Sequence, residues 1–419
     1  MSRLASPTAL LCVPASPLRR LAALCLLTGL GASSGLAQQR DYDTVSVVPK
    51  LSLLQSRIAS GDFNGDGRDD LFVSGLDLKS RRPITYFLPV TSTRTVVHSN
   101  GKDRLHYATY GLSIDPLGAI WGGDVLAHDL DASGTDDLLL IGSRDSTGLG
   151  RPASAVALQT GGALRPTTLV PLPALSLSRL AASGRYVAAT GRPATGPPVL
   201  QILRRTAETG AAHTVVASFP GVELGGLAFG DCDGDGDDDL FATGRDGNGG
   251  TAARLYRNDA GTFVASPLDL PGVFLADAVM EDLDRDGDDD LVYGGSVFGP
   301  SGLEGLTRVY QSQGCAFSAV AIPEDVRHMR LSAVAISDLG SSIELIGRRP
   351  SLTSERITLR AGSFPQLTLD SVVPVPDDSD AVLTDPQGDG VNALFFVGTR
   401  TQRFSRDAPA VPFTLFFLY

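Results

Sequence analysis

Asp231-Cys232-Asp233-Gly234-Asp235-Gly236-Asp237-Asp238-Asp239 runs straight into the apolar stretch Leu240-Phe241-Ala242-Thr243-Gly244. The same arrangement occurs from Asp62 to Asp70, from Asp129 to Asp137 and from Asp282 to Asp290, each before its own apolar run (LFVSG, LLLIG, LVYGG). In every copy an oxygen-bearing side chain stands at loop positions 1, 3, 5 and 9, and Gly stands at position 6. Alternate side chains of a tight loop converge on one point, and Gly permits the sharp turn. The candidate ligands are therefore Asp62, Asn64, Asp66 and Asp70; Asp129, Asp131, Ser133 and Asp137; Asp231, Asp233, Asp235 and Asp239; Asp282, Asp284, Asp286 and Asp290. The backbone carbonyl of position 7 (Arg68, Thr135, Asp237, Asp288) can complete each shell. An all-oxygen set of this size suits calcium better than magnesium, which demands stricter octahedral geometry and holds its waters.

Two other readings of the loop compete. An EF-hand shares positions 1, 3 and 5 but needs a bidentate Glu at position 12 and a helix after it. Position 12 here is Val73, Leu140, Ala242 or Tyr293, and the stretch after each loop is β-rich, so the loop opens a strand. Asp/Gly clusters also form plain solvated turns. Four copies with the same oxygen positions, Gly and downstream strand favour about four calcium sites over that reading.

The spacing of the loops sets the architecture. They begin at 62, 129, 231 and 282, so the last two are 51 residues apart and the middle gap of 102 hides another unit. It lies at Leu180–Gly191, which keeps two strands and has lost the acids. Eroded copies occur later at Ala335–Gly347 and at Leu383–Gly398, where Gln387 and Ala393 replace ligands. The fourth unit reads as four short strands: Gly226–Gly230, Leu240–Gly244, Arg254–Asn258 and Thr262–Ser266. Four-stranded units at this period predict an all-β, seven-bladed β-propeller of antiparallel blades. An unassigned strand, Asp43–Lys50, is expected to complete the last blade, whose third strand is Pro412–Tyr419. Closing a ring in this way leaves only short, protected edges.

The pattern GDxDGDGxDDLxxxG, with Arg254-Leu-Tyr-Arg-Asn-Asp-Ala-Gly-Thr-Phe263 after it, resembles the FG-GAP/VCBS repeat family, whose blades also occur in integrin α-subunits. The resemblance implies calcium held in hairpin loops on one rim, between the first and second strands of a blade. It extends to nearly all of the chain from about residue 43 and is specific in four units.

Residues 1–37 read as an export signal. Arg19 and Arg20 precede the apolar stretch Leu21–Leu30, and Gly35-Leu36-Ala37 fits a cleavage site before Gln38. Residues 38–419 then form one exported domain, outside the cell, on its surface or in a periplasm, with no transmembrane segment after cleavage. Loss of Arg3, Arg19 and Arg20 takes the formal charge from −12 to −15. The four loops hold 14 ligand carboxylates, and four Ca²⁺ would bring the charge to −7. Much of the acidity thus reads as ligand, and without a basic stripe nucleic acid is excluded as a partner. Cys232 takes the place of Phe63, Leu130 and Leu283 at loop position 2, so it reads as a buried apolar residue; pairing with Cys315 would need proximity that sequence does not give.

No catalytic motif stands out. The five histidines are scattered, and the mature chain has no H-E-x-x-H, G-x-S-x-G or phosphate loop. The expectation is therefore a calcium-stabilised binding, adhesion or scaffold module for a protein or glycan. The alternatives are a polysaccharide-lyase-like enzyme and a lectin, although aromatics at 6% with one Trp disfavour a repeated sugar site. Units one and two lie 67 residues apart, and the surplus near Val96–Gly123 (His98, His106, Tyr107, Tyr110, Trp121) is either a binding loop or padding.

Overall fold

A computed structural model describes residues 44–47, 53–77, 79–97, 104–110, 113–114, 117–300, 302–337, 342–350, 354–374, 377–384, 393–400, 411–413 and 416–418. The leader and the acidic remnant Asp385–Asp389 lie outside these residues.

The chain opens with β1 (Thr44–Val47). Blade one is β2 (Leu53–Gly61), β3 (Asp70–Asp77), β4 (Pro83–Leu88) and β7 (Ser113–Ile114), with β5 (Val90–Val97) and β6 (Arg104–Tyr110) inserted before the last strand. Blade two is β8 (Trp121–His128), β9 (Asp137–Ser143), β10 (Pro152–Gln159) and β11 (Leu164–Thr167). Blade three is β12 (Ser176–Ser183), β13 (Tyr186–Arg192), β14 (Val199–Arg205) and β15 (His213–Pro220). Blade four is β16 (Glu223–Gly230), β17 (Asp239–Arg245), β18 (Thr251–Asp259) and β19 (Thr262–Ser266). Blade five is β20 (Phe274–Glu281), β21 (Asp290–Gly299), β22 (Gly302–Gln311) and β23 (Ser318–Ala319). Blade six is β24 (Arg330–Ser337), β25 (Ser342–Arg348), β26 (Ser354–Ser363) and β27 (Gln366–Pro374). A last sheet holds β28 (Asp377–Thr384), β29 (Ala393–Arg400), β30 (Val411–Phe413) and β31 (Phe416–Leu418).

These antiparallel meanders form a β-propeller. The first strands β2, β8, β12, β16, β20, β24 and β28 lie one beside the next, and β28 returns to lie beside β2. Two expectations need correction. Six blades, not seven, have the full four-strand meander: in the last sheet β30 and β31 both pair with β29, so the described residues supply no fourth strand there. Nor does the N-terminal strand complete that sheet. β1 pairs in parallel with β6, Thr44 opposite His106 through Val47 opposite Thr109, because the inserted hairpin offers it an open edge. The surplus between units one and two is that hairpin, a separate three-stranded sheet β1-β6-β5. Trp121 is not part of it; it is buried at the start of β8.

The second strands explain the apolar runs. Each is sandwiched between neighbouring blades, so both of its faces are buried and the period-two alternation is lost. Leu138, Leu139, Leu140 and Ile141 are all fully buried. The core accordingly lies between blades. Leu130, Leu139 and Ile141 of blade two meet Leu180, Val187 and Leu203 of blade three, and equivalent clusters fill the next seams.

At the axis each first strand has an irregularity in its pairing. The residues just beyond it are Arg57, Asp124, Arg179, Gly226, Asp277 and Ala333 in blades one to six. Arg179 is buried; its Nε donates to the Gly225 carbonyl (2.7 Å) and its Nη2 to the Ala276 carbonyl (2.6 Å). Its guanidinium also lies 3.6 Å from a carboxylate oxygen of Asp124 and of Asp277. One side chain thus ties blade three to blades two, four and five.

Candidate metal centres

All four loops sit between the first and second strands of blades one, two, four and five, so they share one rim. The position-1 carboxylate builds each turn by accepting amides from its own loop. Asp62 accepts the Gly65 (2.7 Å), Asp66 (3.0 Å) and Gly67 (2.8 Å) N–H groups. Asp129 accepts those of Ser133 (3.0 Å) and Gly134 (2.8 Å). Asp231 accepts those of Asp235 (3.1 Å) and Gly236 (2.8 Å), and Asp282 those of Asp286 (3.1 Å) and Gly287 (3.2 Å). Position 6 has positive φ throughout, 79° at Gly67, 83° at Gly134, 89° at Gly236 and 98° at Gly287, a conformation that favours Gly.

Position 9 is the buried floor of the loop. Asp70, Asp137, Asp239 and Asp290 are at most 1% exposed. Each opens the second strand and reaches across to the end of the third or just past it: Asp70 accepts from Val90 N–H (2.8 Å), Asp137 from Gln159 (2.7 Å), Asp239 from Asn258 (2.8 Å) and Asp290 from Ser312 (2.9 Å). Burial pushes the Asp70, Asp137 and Asp290 carboxyls up to about 7 and Asp239 up to about 6; neighbouring loop carboxylates add to the rise.

In three loops the oxygens of positions 1, 3 and 9 converge. Those of Asp129, Asp131 and Asp137, of Asp231, Asp233 and Asp239, and of Asp282, Asp284 and Asp290 each lie within 4.8 Å of one another. Blade one has Asn64 at position 3 instead. Within the four loops, two buried carboxylate oxygens, Asp70 Oδ2 and Asp233 Oδ1, have no hydrogen-bond partner. A buried unpaired oxygen in an acidic loop is costly unless a cation meets it, so the donor set fits a hard cation. Position 3 also draws protein donors: Arg257 pairs with Asp233, and Gln311 Nε2 donates to Asp284 (2.6 Å).

The remaining loop positions divide. At position 5, Asp66, Asp235 and Asp286 accept the N–H of position 7 in their own loops, and Ser133 Oγ lies 2.9 Å from Thr135 Oγ1. At position 7 three side chains bond to groups outside their own loop. Asp237 accepts the Ala260 N–H (3.0 Å), Asp288 the Gly314 N–H (2.7 Å), and Thr135 donates to Gln159 (3.2 Å). Arg68 donates its N–H to Asp66 at 3.1 Å.

Sequence reasoning missed one feature and left a second open. Position 8 reaches across to another blade in three copies: Asp136 and Asp289 reach the preceding blade's loop, and Asp238 accepts a hydrogen bond from Ser183 of blade three, whereas Asp69 accepts from Ser60 of its own hairpin. The acid recurs in all four copies, a signal that could have been followed. The second is a disulfide between Cys232 and Cys315, Cα atoms 4.8 Å apart. Cys232 is indeed fully buried, but bonded, and the bridge fastens the blade-four loop to blade five.

No family model matches this chain, and no curated protein does. Among solved structures it is similar to the BP39L lectin from Burkholderia pseudomallei, at 12% identity and TM-score 0.48 over 87% of this chain and 99% of that one. It is similar also to YjhT, at 11% identity and TM-score 0.47 over 77% of this chain and 99% of that one. A third is the six-bladed β-propeller lectin of Aleuria aurantia, at 11% identity and TM-score 0.41 over 78% and 98%. At such scores the likeness adds nothing to what the topology establishes.

Proposed function

We propose that the loops of blades one, two, four and five bind calcium, and that the chain is an exported propeller of the FG-GAP/VCBS kind whose rim is stiffened by the ion. The observation that carries this reading is the convergence of buried and half-buried carboxylate oxygens on one point in three loops. The partnerless Asp70 Oδ2 supports it in the remaining loop. Calcium would be held by positions 1, 3, 5 and 9 with the carbonyl of position 7, and would supply charge neutralisation. The chain's own part is to hold these oxygens in a turn already shaped by the position-1 carboxylate.

The role is structural support for a binding or scaffold surface rather than catalysis, since the oxygens brought together are spent on the cation. Export is supported by the Cys232–Cys315 disulfide, which persists in oxidising compartments. Extracellular loops of this type bind calcium at about 10⁻⁴ to 10⁻³ M, matching such an environment. The ligand of the surface is a protein or a glycan, and a glycan array separates the two.

Equilibrium dialysis of residues 38–419 is expected to find about four bound ions at millimolar calcium. Each site should stabilise the fold by about 1.4 kcal/mol at tenfold excess over Kd, so a chelator should lower Tm clearly. A chain that binds no calcium, with Tm indifferent to chelator, would overturn the proposal.

A further inference from the structure

Three of the four position-8 aspartates, Asp136, Asp238 and Asp289, reach out of their own loops to another blade. Asp136, on the blade-two loop, accepts the N–H of Asp62 at 3.2 Å, and Asp289, on the blade-five loop, accepts the N–H of Asp231 at 2.8 Å. The Asp289 N–H donates back to the Asp231 carbonyl at 2.7 Å. Asp62 and Asp231 are the position-1 residues that shape the loops of blades one and four. Each acid therefore sits next to a floor carboxylate of its own blade, Asp137 or Asp290, while gripping the first ligand of the blade before.

The residue preceding position 1 shows that this contact is built in. It is Gly61 in blade one and Gly230 in blade four. A Cβ at Gly61 would stand 2.7 Å from the Asp136 side chain, and one at Gly230 would stand 2.4 Å from Met280 Cβ and 2.7 Å from Asp289 Oδ2. Blades two and five, whose next blades lack an acidic loop, carry His128 and Glu281 there. His128 instead meets the Gly184 carbonyl of blade three at 3.0 Å. The seam between blades four and five has further ties. Ser312 of blade five, whose N–H goes to Asp290 of its own blade (2.9 Å), donates its hydroxyl across to the Cys232 carbonyl (2.7 Å), beside the disulfide.

We infer that Asp136 and Asp289 are positioning residues for the preceding blade's metal site, so that the four sites fill as two coupled pairs, one with two and four with five. The inference rests on the calcium reading of the loops. An ion in blade five fixes Asp290, and with it the adjacent Asp289, which holds Asp231 in its binding geometry. Linkage makes the effect reciprocal. Blade three, with no acidic loop, separates the pairs. Asp238 ends there on Ser183 and couples no two sites.

Hydrogen exchange resolved by peptide, tracked across a calcium titration of the full chain, tests this. Asp289→Ala is expected to raise the calcium midpoint for protection of residues 231–239 at least about fivefold, leaving 62–70 and 129–137 unmoved. Without calcium the same variant should speed exchange at the blade-four loop alone. Asp289→Asn, whose amide oxygen can still accept the Asp231 N–H, should recover most of the loss. Asp238→Ala should shift no other loop's midpoint. Asp136→Ala reads the first pair at residues 62–70, and carries the test if Asp289→Ala does not fold. Unchanged midpoints at the preceding loops in these variants overturn the pairing. A wild-type chain in which no loop responds to calcium overturns the calcium reading instead.

Discussion

At the residue scale the position-9 aspartates decide how the loops respond to pH. A carboxyl titrates near 3.9 in an unfolded chain, whereas burial lifts Asp70, Asp137 and Asp290 to about 7 in the ion-free fold. Between those values the folded chain binds more protons than the unfolded one, so ion-free stability is greatest below the unfolded pKa and falls as pH rises toward 7. A cation replaces the proton as the source of positive charge. The calcium-induced rise in Tm should therefore be small at pH 5 and large at pH 8, with protons released on binding between them. Melting curves with and without calcium at both values check this; equal increments would show that these carboxyls do not face the ion.

At the element scale much of the fold was legible. Gly at position 6 marked the sharp turn, and the unbroken run Leu138–Ile141 had to be buried on both faces, which implied a strand between two neighbours. Blade four's four predicted strands are present, each reaching at most a few residues further. Even the eroded third unit keeps its first hairpin, with Ser183 opposite Tyr186 where a loop would otherwise begin. The features that were not legible depended on long-range partners. The choice of β1 between two open edges, and the docking of Asp136 and Asp289 on a different blade, are set by the ring. So is the approach of Cys232 to Cys315, separated by 83 residues. That separation gives the bridge weight: closing a loop of such length stabilises by about 4.5 kcal/mol in the chain-entropy account. Cys232→Ala with Cys315→Ala should lower Tm by several degrees, and a reductant should do the same to the wild type and nothing to the double variant.

At the scale of the whole molecule the question is what keeps separate blades in one ring, since each pairs its strands only internally. Apolar seams supply most of the cohesion, but they are non-directional. Arg179 adds direction at the axis, where it bonds to carbonyls of blades four and five and lies between the carboxylates of Asp124 and Asp277. Those carboxylates are committed as well: Asp124 accepts the Leu180 N–H of blade three (3.0 Å) and Asp277 the Val334 N–H of blade six (2.9 Å). Arg179→Met preserves bulk but leaves two half-buried negative charges without their shared cation, a loss of about 3–5 kcal/mol by the behaviour of broken buried pairs. Asp124→Asn and Asp277→Asn, added to Arg179→Met, should restore part of it by removing negative charge from the axis while keeping an acceptor for each amide. Arg185, whose pair with Glu208 (2.5 Å) is largely exposed, provides the contrast; Arg185→Met should cost less than about 1 kcal/mol. Urea denaturation of these variants measures the difference. If Arg179→Met proves no worse than Arg185→Met, the apolar seams alone hold the ring and the axial arginine is incidental to it.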